Sequence, residues 1–251
     1  MVSPHKGKPL TDSEFTMAAR IRLGCAGPDE PAACANCDGG ILGRAGTHAM
    51  LCAKGPSTRG HNAVRDEIFA MASGVDAGAE LEPTGLVPAR PALRPADILI
   101  SASGLTGRLA ALGAGIANPA AAVAGADKIE AMRECKCARV EPHAEALERQ
   151  GIAYRPITLS CFGRPRPDSL AAVRSLARRT ARRRGTGPRV EERRMMARIS
   201  VEIWRRAARM VLQCWPCMGA DDGELEEPLD PSAGARAGHA GNVDPGPPRL
   251  S

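Results

Sequence analysis

Six aromatic side chains in 251 residues (three Phe, two Trp and one Tyr) set the tightest limit on what this chain can fold into. Each aromatic buries about 150–250 Å², so few pieces are present from which a large core is built. The 43% hydrophobic content leans on Ala, which buries little. A small core follows, one that gains from a metal ion or a partner. Gly and Pro supply 27 and 21 residues, a high share that still falls short of a low-complexity composition.

The cysteines offer such a metal. Cys34-x2-Cys37-x10-His48-x3-Cys52 supplies four soft or borderline ligands. The two-residue gap lets a pair of thiolates reach one ion from a tight turn. The three-residue gap puts His48 and Cys52 on one side of a helical turn, and four such donors complete a tetrahedral structural zinc site. Unbound cysteines in an unstructured segment are the alternative, and the spacing favours zinc. Nine cysteines is an odd number without the pattern of a secreted disulfide framework, which fits reduced thiols inside a cell, nuclear or cytoplasmic. Cys214-Trp-Pro-Cys217 and Cys135-Lys-Cys137 read as incidental. Residues 1–10 carry no signal-peptide core. No apolar run approaches the ~18 residues of a membrane span, so no membrane partner is expected.

Periodicity divides the chain. Residues 13–23 read as a short helix within an N-terminal segment, 1–24. Residues 25–58 form the metal segment. Residues 61–73 read as a helix with Val64, Ile68, Phe69 and Met71 on one face. Strands follow at 79–82, 98–101 and 109–117, the last stopped by Asn118-Pro119. One or two helices fill 120–150, broken near Glu141-Pro142, and Gly151 ends them. A strand over 154–162 contains Pro156, which argues for an edge or a bulge. A helix capped by Asp168 or Ser169 runs to Arg184, and Gly185 closes it. The expected fold class is α/β over 59–185, a small mixed sheet flanked by helices. Residues 186–217 form a basic amphipathic helix, with Arg198, Glu202, Arg205, Arg206 and Arg209 on one face. Its apolar face over 191–215 offers a surface for a partner protein. Residues 218–251 read as an acidic, Pro/Gly-rich disordered tail.

Charge is segregated along this order. Fifteen Arg lie between Arg164 and Arg209, against Asp168, Glu191, Glu192 and Glu202. From Gly219 onward seven acids face Arg236 and Arg249. A basic block before an acidic tail suggests a polyanion partner, DNA or RNA, held through phosphates. A solvated Arg-rich helix face is the plain alternative. Arg174, Arg178 and Arg182 stand four residues apart on one face, suited to following a backbone. The shortage of aromatics argues against reading single strands by base stacking.

Several stretches in order resemble the C-terminal tail of non-LTR retrotransposon polyproteins, where a zinc knuckle precedes a restriction-endonuclease-like domain of the PD-(D/E)XK type. They are RLGC (22–25), CANC (34–37), THAMLC (47–52), RGHNAVRDE (59–67), RPADILI (94–100), LAALGAGIANP (109–119), KCARVEPH (136–143), GIAYRP (151–156), FGRPRPD (162–168) and IWRRAARMVLQC (203–214). The resemblance implies a restriction-endonuclease-like fold and nucleic-acid contacts from Arg59, His61, Asn62 and Arg65. It puts the first metal-binding acid at Asp97 and the supporting Lys at Lys136. The second acid falls on Gly113, where no carboxylate stands. Gly60 and Val140 depart from the family as well. With one acid absent, Mg²⁺ is expected only if the nuclease site is active, because that ion needs oxygen ligands at fixed geometry. The expected function is a nucleic-acid-binding remnant of an endonuclease domain, inactive in catalysis. An active metal-dependent endonuclease and a translated relic without molecular function are the alternatives.

Overall fold

Alternation along residues 109–117 explains the architecture. In a strand, side chains point to opposite faces in turn. Ala110, Leu112 and Ala114 therefore enter one apolar layer, whereas Ala111 enters another. Both faces of this strand are covered, so it can be apolar throughout.

The computed structural model describes residues 9–52, 56–101, 108–117 and 127–215; for residues 51 and 56–59 it describes the backbone only. The chain divides into two units, Met1–Gly219 and Ala220–Ser251, and all described residues belong to the first. The acidic tail, Asn118-Pro119 and Cys217 lie outside them.

Helix α1 (Asp12–Arg22) is followed by a hairpin, β1 (Ala32–Ala33) and β2 (Ile41–Leu42), then by α2 (Thr47–Leu51) and α3 (Pro56–Ser73). Strands β3 (Glu80–Leu81), β4 (Ile98–Ile100) and β5 (Leu109–Ala117) come next. Helix α4 (Lys128–Val140) passes through a 3-10 turn (Glu141–His143) into α5 (Ala144–Arg149), and β6 (Ile152–Ser160) follows. Helices α6 (Pro167–Arg184) and α7 (Pro188–Cys214) complete the described chain. The fold is mixed α/β with a small sheet flanked by helices. Sheet order is β3-β4-β5-β6, antiparallel except for the parallel pair β5 and β6. Pro156 sits on β6, an edge strand, where its missing N–H costs no ladder bond on the open side.

One sheet face, with Ile98, Ile100, Leu112, Ile157 and Leu159, packs on Val64 and Ile68 of α3, Leu176 of α6, and Ile199 and Ile203 of α7. The opposite face, with Leu99, Ala111 and Ile152, packs on Val140 and on Leu147 of α5. A third cluster joins Met17 and Ile21 of α1 to Cys34, Leu42, Cys52 and the C-terminal part of α7.

Three sequence expectations are corrected. The N-cap of α6 is Arg166 with Pro167 in the first turn. Ser169 is buried, and its hydroxyl accepts the Thr158 amide at 2.8 Å. Helix α3 begins at Pro56 rather than at residue 61, so His61 and Asn62 lie inside it. The apolar face of α7 is covered by α1, α3 and α6 rather than open to a partner. Its basic face is neutralised in part from within the chain. Arg198 Nε donates to Glu67 at 2.7 Å, Arg209 Nε donates to Glu14 at 2.6 Å, and Arg205 pairs with Glu202.

Candidate functional site

Two constellations stand out. The first is the Cys-His group, whose shape comes from the hairpin. Gly39, with φ of 84°, turns the chain back after Cys37, and the Cys34 amide donates to the Gly40 carbonyl at 2.8 Å. Helix α2 carries His48 and ends at Cys52, the only C-terminal cap it has. One ligand atom from each of Cys34, Cys37, His48 and Cys52 lies within 4.8 Å of the others. Cys37 Sγ and His48 Nε2 are 3.2 Å apart.

The surroundings fit a cation. The Asn36 amide donates to Cys34 Sγ at 3.4 Å, and its side-chain nitrogen donates to Cys52 Sγ at 3.4 Å. Such donors offset thiolate charge. Gly40 lies so close that a Cβ there would collide with the His48 ring and stand 2.8 Å from Cys37 Sγ. Burial pushes the Cys34 thiol up, but the Asn36 amide and its Cys214, His48 and Cys37 neighbours outweigh that and bring it down to about 6. Burial and the adjacent Cys34 and Cys52 push Cys37 up. Four soft donors arranged this way can hold a metal ion such as zinc. Cys214, incidental by sequence, is buried in the same cluster as Cys34 and Cys52, and its carbonyl accepts the Ala35 amide at 3.1 Å. Its chain neighbour Trp215 packs there too. Only the fold could reveal this, because α7 returns to the hairpin over a long stretch of sequence.

The second constellation lies on the α4 side of the sheet. Asp97 precedes β4 in the same orientation as Leu99, and its amide donates to the Leu112 carbonyl at 2.9 Å. Its Oδ2 accepts the Ala114 amide at 2.6 Å and lies 3.7 Å from Lys136 Nζ of α4. Its Oδ1 lies 3.8 Å from His61 Nε2 of α3. Burial pushes the Asp97 carboxyl up, but the neighbouring His61 ring, the Lys136 ammonium and the Ala114 amide hold it below the usual carboxylate range. Asp97, His61, Lys136 and Gly113 thus meet, brought from three elements and one strand end.

Gly113 is flanked by Tyr154 of β6. A Cβ built at 113 would run into the Tyr154 hydroxyl and come within 3.0 Å of the ring carbon that bears it. Burial and the Asp97 charge push that phenol up, so it stays neutral. Sequence reasoning did not single out Tyr154. The signal was available: the chain has one Tyr, and it stands on the strand beside Gly113. Gly60 has an analogous filler, since the methylene stem of Arg206 crosses it. Among the described residues, the Cys-His set is the only group of three or more His, Cys, Asp or Glu placed to hold an ion. Asp97 has no second carboxylate in such a group.

The other sequence candidates separate. Arg65 is buried and bonded to Asp66 at 2.8 Å and to Glu82, which also holds Arg94. Arg65 is therefore a structural ion pair, not a free phosphate ligand, and Glu82 is committed to the two arginines. Asn62 is half-buried on α3. The Arg59 side chain lies outside the described atoms. Arg174, Arg178 and Arg182 are exposed on α6. Arg174 Nε meets Glu192 at 2.9 Å, and together with Arg189 and Arg193 these two line a shallow depression between α6 and α7. Arg178 and Arg182 carry no ion pair among the described residues. No described helix is long and apolar enough to cross a membrane. Comparison with protein-family models, with curated proteins and with solved structures finds no match for this chain.

Proposed function

We propose that this chain is a nucleic-acid-binding protein derived from a metal-dependent endonuclease domain of the restriction-endonuclease-like type, with a structural zinc ion in the Cys34, Cys37, His48, Cys52 set and no catalytic metal. The observation that carries the reading is the convergence of Asp97, Gly113 and Lys136. The resemblance assigns these three positions to one catalytic centre, and they meet on one side of one sheet although they come from separate segments. That centre lacks the means to hold Mg²⁺. One carboxylate remains, it already accepts a backbone amide and faces Lys136 and His61 at 3.7 and 3.8 Å, and a neutral phenol fills the room beside Gly113. A hard cation keeping most of its water gains little from such a partner.

Binding is then what remains. The exposed Arg174, Arg178 and Arg182 stand four residues apart on α6, and Arg174 shares a shallow depression with Arg189 and Arg193 of α7, so this side of the chain offers cations to phosphates. Affinity of this kind is largely indifferent to sequence and falls steeply with salt. It suits a nuclear or cytoplasmic protein that meets DNA or RNA.

The test is plasmid nicking with Mg²⁺ or Mn²⁺ by the native protein, Gly113→Asp, and Gly113→Asp/Tyr154→Ala. Tyr154 is included because its hydroxyl stands where the new carboxylate must go. Cleavage by the double variant alone supports the reading. Cleavage by the native protein refutes the inactive assignment and demands another carboxylate. Absence of cleavage by all three, with binding intact, refutes the assignment of these positions to a former nuclease centre.

A further inference from the structure

We infer that Arg206 anchors a binding site for a phosphate group, placed where α3 and α7 pass the carboxyl ends of β5 and β6. Where that phosphate belongs to DNA or RNA, the site rests on the nucleic-acid reading and extends it beyond the arginines of α6. Ile199, Ile203, Arg206 and Met210 stand four, three and four residues apart on α7. That spacing puts them on one stripe, and the other three are buried. The sequence grouped Arg206 with the outer basic face, but the structure turns it inward. Its methylene stem lies across α3 at Gly60, where a Cβ would stand 2.2 to 2.7 Å from three stem carbons, so glycine leaves the channel that the stem fills.

A guanidinium in such a stripe calls for a counter-ion, since a covered charge left unpaired is costly. Nε is sealed from solvent without a hydrogen-bond partner, and no carboxylate among the described residues pairs with the group. By contrast Arg194, Arg198, Arg205 and Arg209 of the same helix each meet a carboxylate. Residues 53–59, 102–107 and 118–126, which adjoin Gly60, β4 and β5 along the chain, contain no Asp or Glu. Arg206 as a whole is only partly covered, so an anion can reach it. Burial lowers its pKa, yet a guanidinium stays charged in a protein, and an anion is the complement that satisfies it. The place is one that ligands favour. Strands β5 and β6 are parallel and end together, the Cys161 amide donating to the Ala117 carbonyl at 2.9 Å. The loop that leaves β6 lies on this stretch of α7: the Phe162 ring is 5.8 Å from that of Trp204, and Gly163 faces Ser200. In open α/β sheets ligands bind outside the carboxyl ends of strands. The planar fork offers a phosphate two parallel N–H donors.

The experiment uses the full chain in three forms: native, Arg206→Met, which keeps the stem and removes the charge, and Arg206→Lys, which keeps the charge and removes the fork. Thermal midpoints are read in millimolar inorganic phosphate and in chloride at equal ionic strength. The variants correct for the general stabilising effect of phosphate on a folded chain. Native protein should gain more from phosphate than Arg206→Met, with Arg206→Lys between. In chloride, Arg206→Met should melt no lower than native. Equal gains from phosphate overturn the inference. So does a lower midpoint in chloride for both variants, since the chain itself would then supply the partner. Fluorescence anisotropy with DNA and RNA identifies the source of the phosphate. A nucleic-acid source predicts binding at least about tenfold weaker for Arg206→Met and a salt slope smaller by about 0.9. Unchanged affinity, beside an intact difference in phosphate response, assigns the site to free phosphate and overturns the nucleic-acid source. Native protein that binds no nucleic acid but keeps that difference defeats the proposed function alone. Native protein that binds it, while Arg206→Met responds to phosphate equally, defeats this inference alone.

Discussion

Glu14 offers the sharpest test of how the described unit is held together. It is a carboxylate with 3% exposure on the first turn of α1. Its Oε2 accepts the Thr11 amide at 3.0 Å, while the Thr11 hydroxyl accepts the Glu14 amide at 3.2 Å, a reciprocal cap. The same carboxylate reaches α7, accepting Arg209 Nε at 2.6 Å and standing 3.5 Å from Arg205 Nε. In Glu14→Ala the cap loses about 1 kcal/mol. Removing a charge-assisted bond costs about 1.5–3 kcal/mol, more where the partner stays buried. Arg205 stays mostly covered, though Glu202 still holds it; Arg209 is half-exposed and returns to water at little cost. The sum is about 3 kcal/mol, a large share of the 5–15 kcal/mol that typically separates folded from unfolded chains. Urea unfolding followed by far-UV circular dichroism should show a lower midpoint at unchanged slope. Glu14→Gln, which keeps the acceptor for Thr11 but loses the charge, should fall between. A loss below about 1 kcal/mol for Glu14→Ala would refute the claim that this carboxylate ties α1 to α7.

Three further outcomes follow from the geometry. Because Asp97 is held below the ordinary carboxylate pKa of about 3.9, its contribution to stability is complete above that value and is lost as pH falls through the lower folded value. Asp97→Asn should therefore flatten the acid limb of a stability-versus-pH curve while leaving its shape near neutrality unchanged, and an unaltered acid limb would contradict this. Replacing Arg174, Arg178 and Arg182 with Ala should weaken duplex binding in fluorescence anisotropy and reduce the salt slope by up to about 2.7, at about 0.9 per phosphate contact; an unchanged slope would place the contacts elsewhere. Chelating an ion held by the proposed zinc set should lower the thermal midpoint and expose the Cys34, Cys52 and Cys214 thiols to alkylation together, since they share one apolar cluster.

Local chemistry was readable from the sequence. The apolar run 109–117 reads as a strand and forms β5 over the same bounds. Glu141-Pro142 marks the 3-10 turn between α4 and α5, and Gly185 closes α6 with φ of 66°. The four ligands Cys34, Cys37, His48 and Cys52 announced themselves by spacing and do converge. What sequence could not supply was distance across the fold. Arg198 looks solvated until Glu67 comes to meet it, and Arg209 until Glu14 does. Arg65 reads as a basic contact beside His61, yet Glu82, across a turn and a strand, takes it inward. Cys214 looked spare because its neighbours in space precede it by most of the chain. Asp168 and Ser169 resemble caps, but Pro167 already fits the first turn and Ser169 is needed to satisfy the Thr158 amide.

The pairing of Gly113 with Tyr154 has a consequence for the history open to this chain. A glycine facing an apolar layer would ordinarily leave a hole, and holes cost stability. Here the phenol closes it, so the absence of a side chain at 113 carries no such penalty. A side chain at 113 is obstructed in turn. Any larger residue at 113 meets the phenol first, and removing the phenol first opens the hole. Two substitutions, each unfavourable alone, must arrive together. Packing thus ties positions 113 and 154 to each other: a side chain at 113 and the phenol of Tyr154 compete for one space, so neither position varies alone without a clash or a hole.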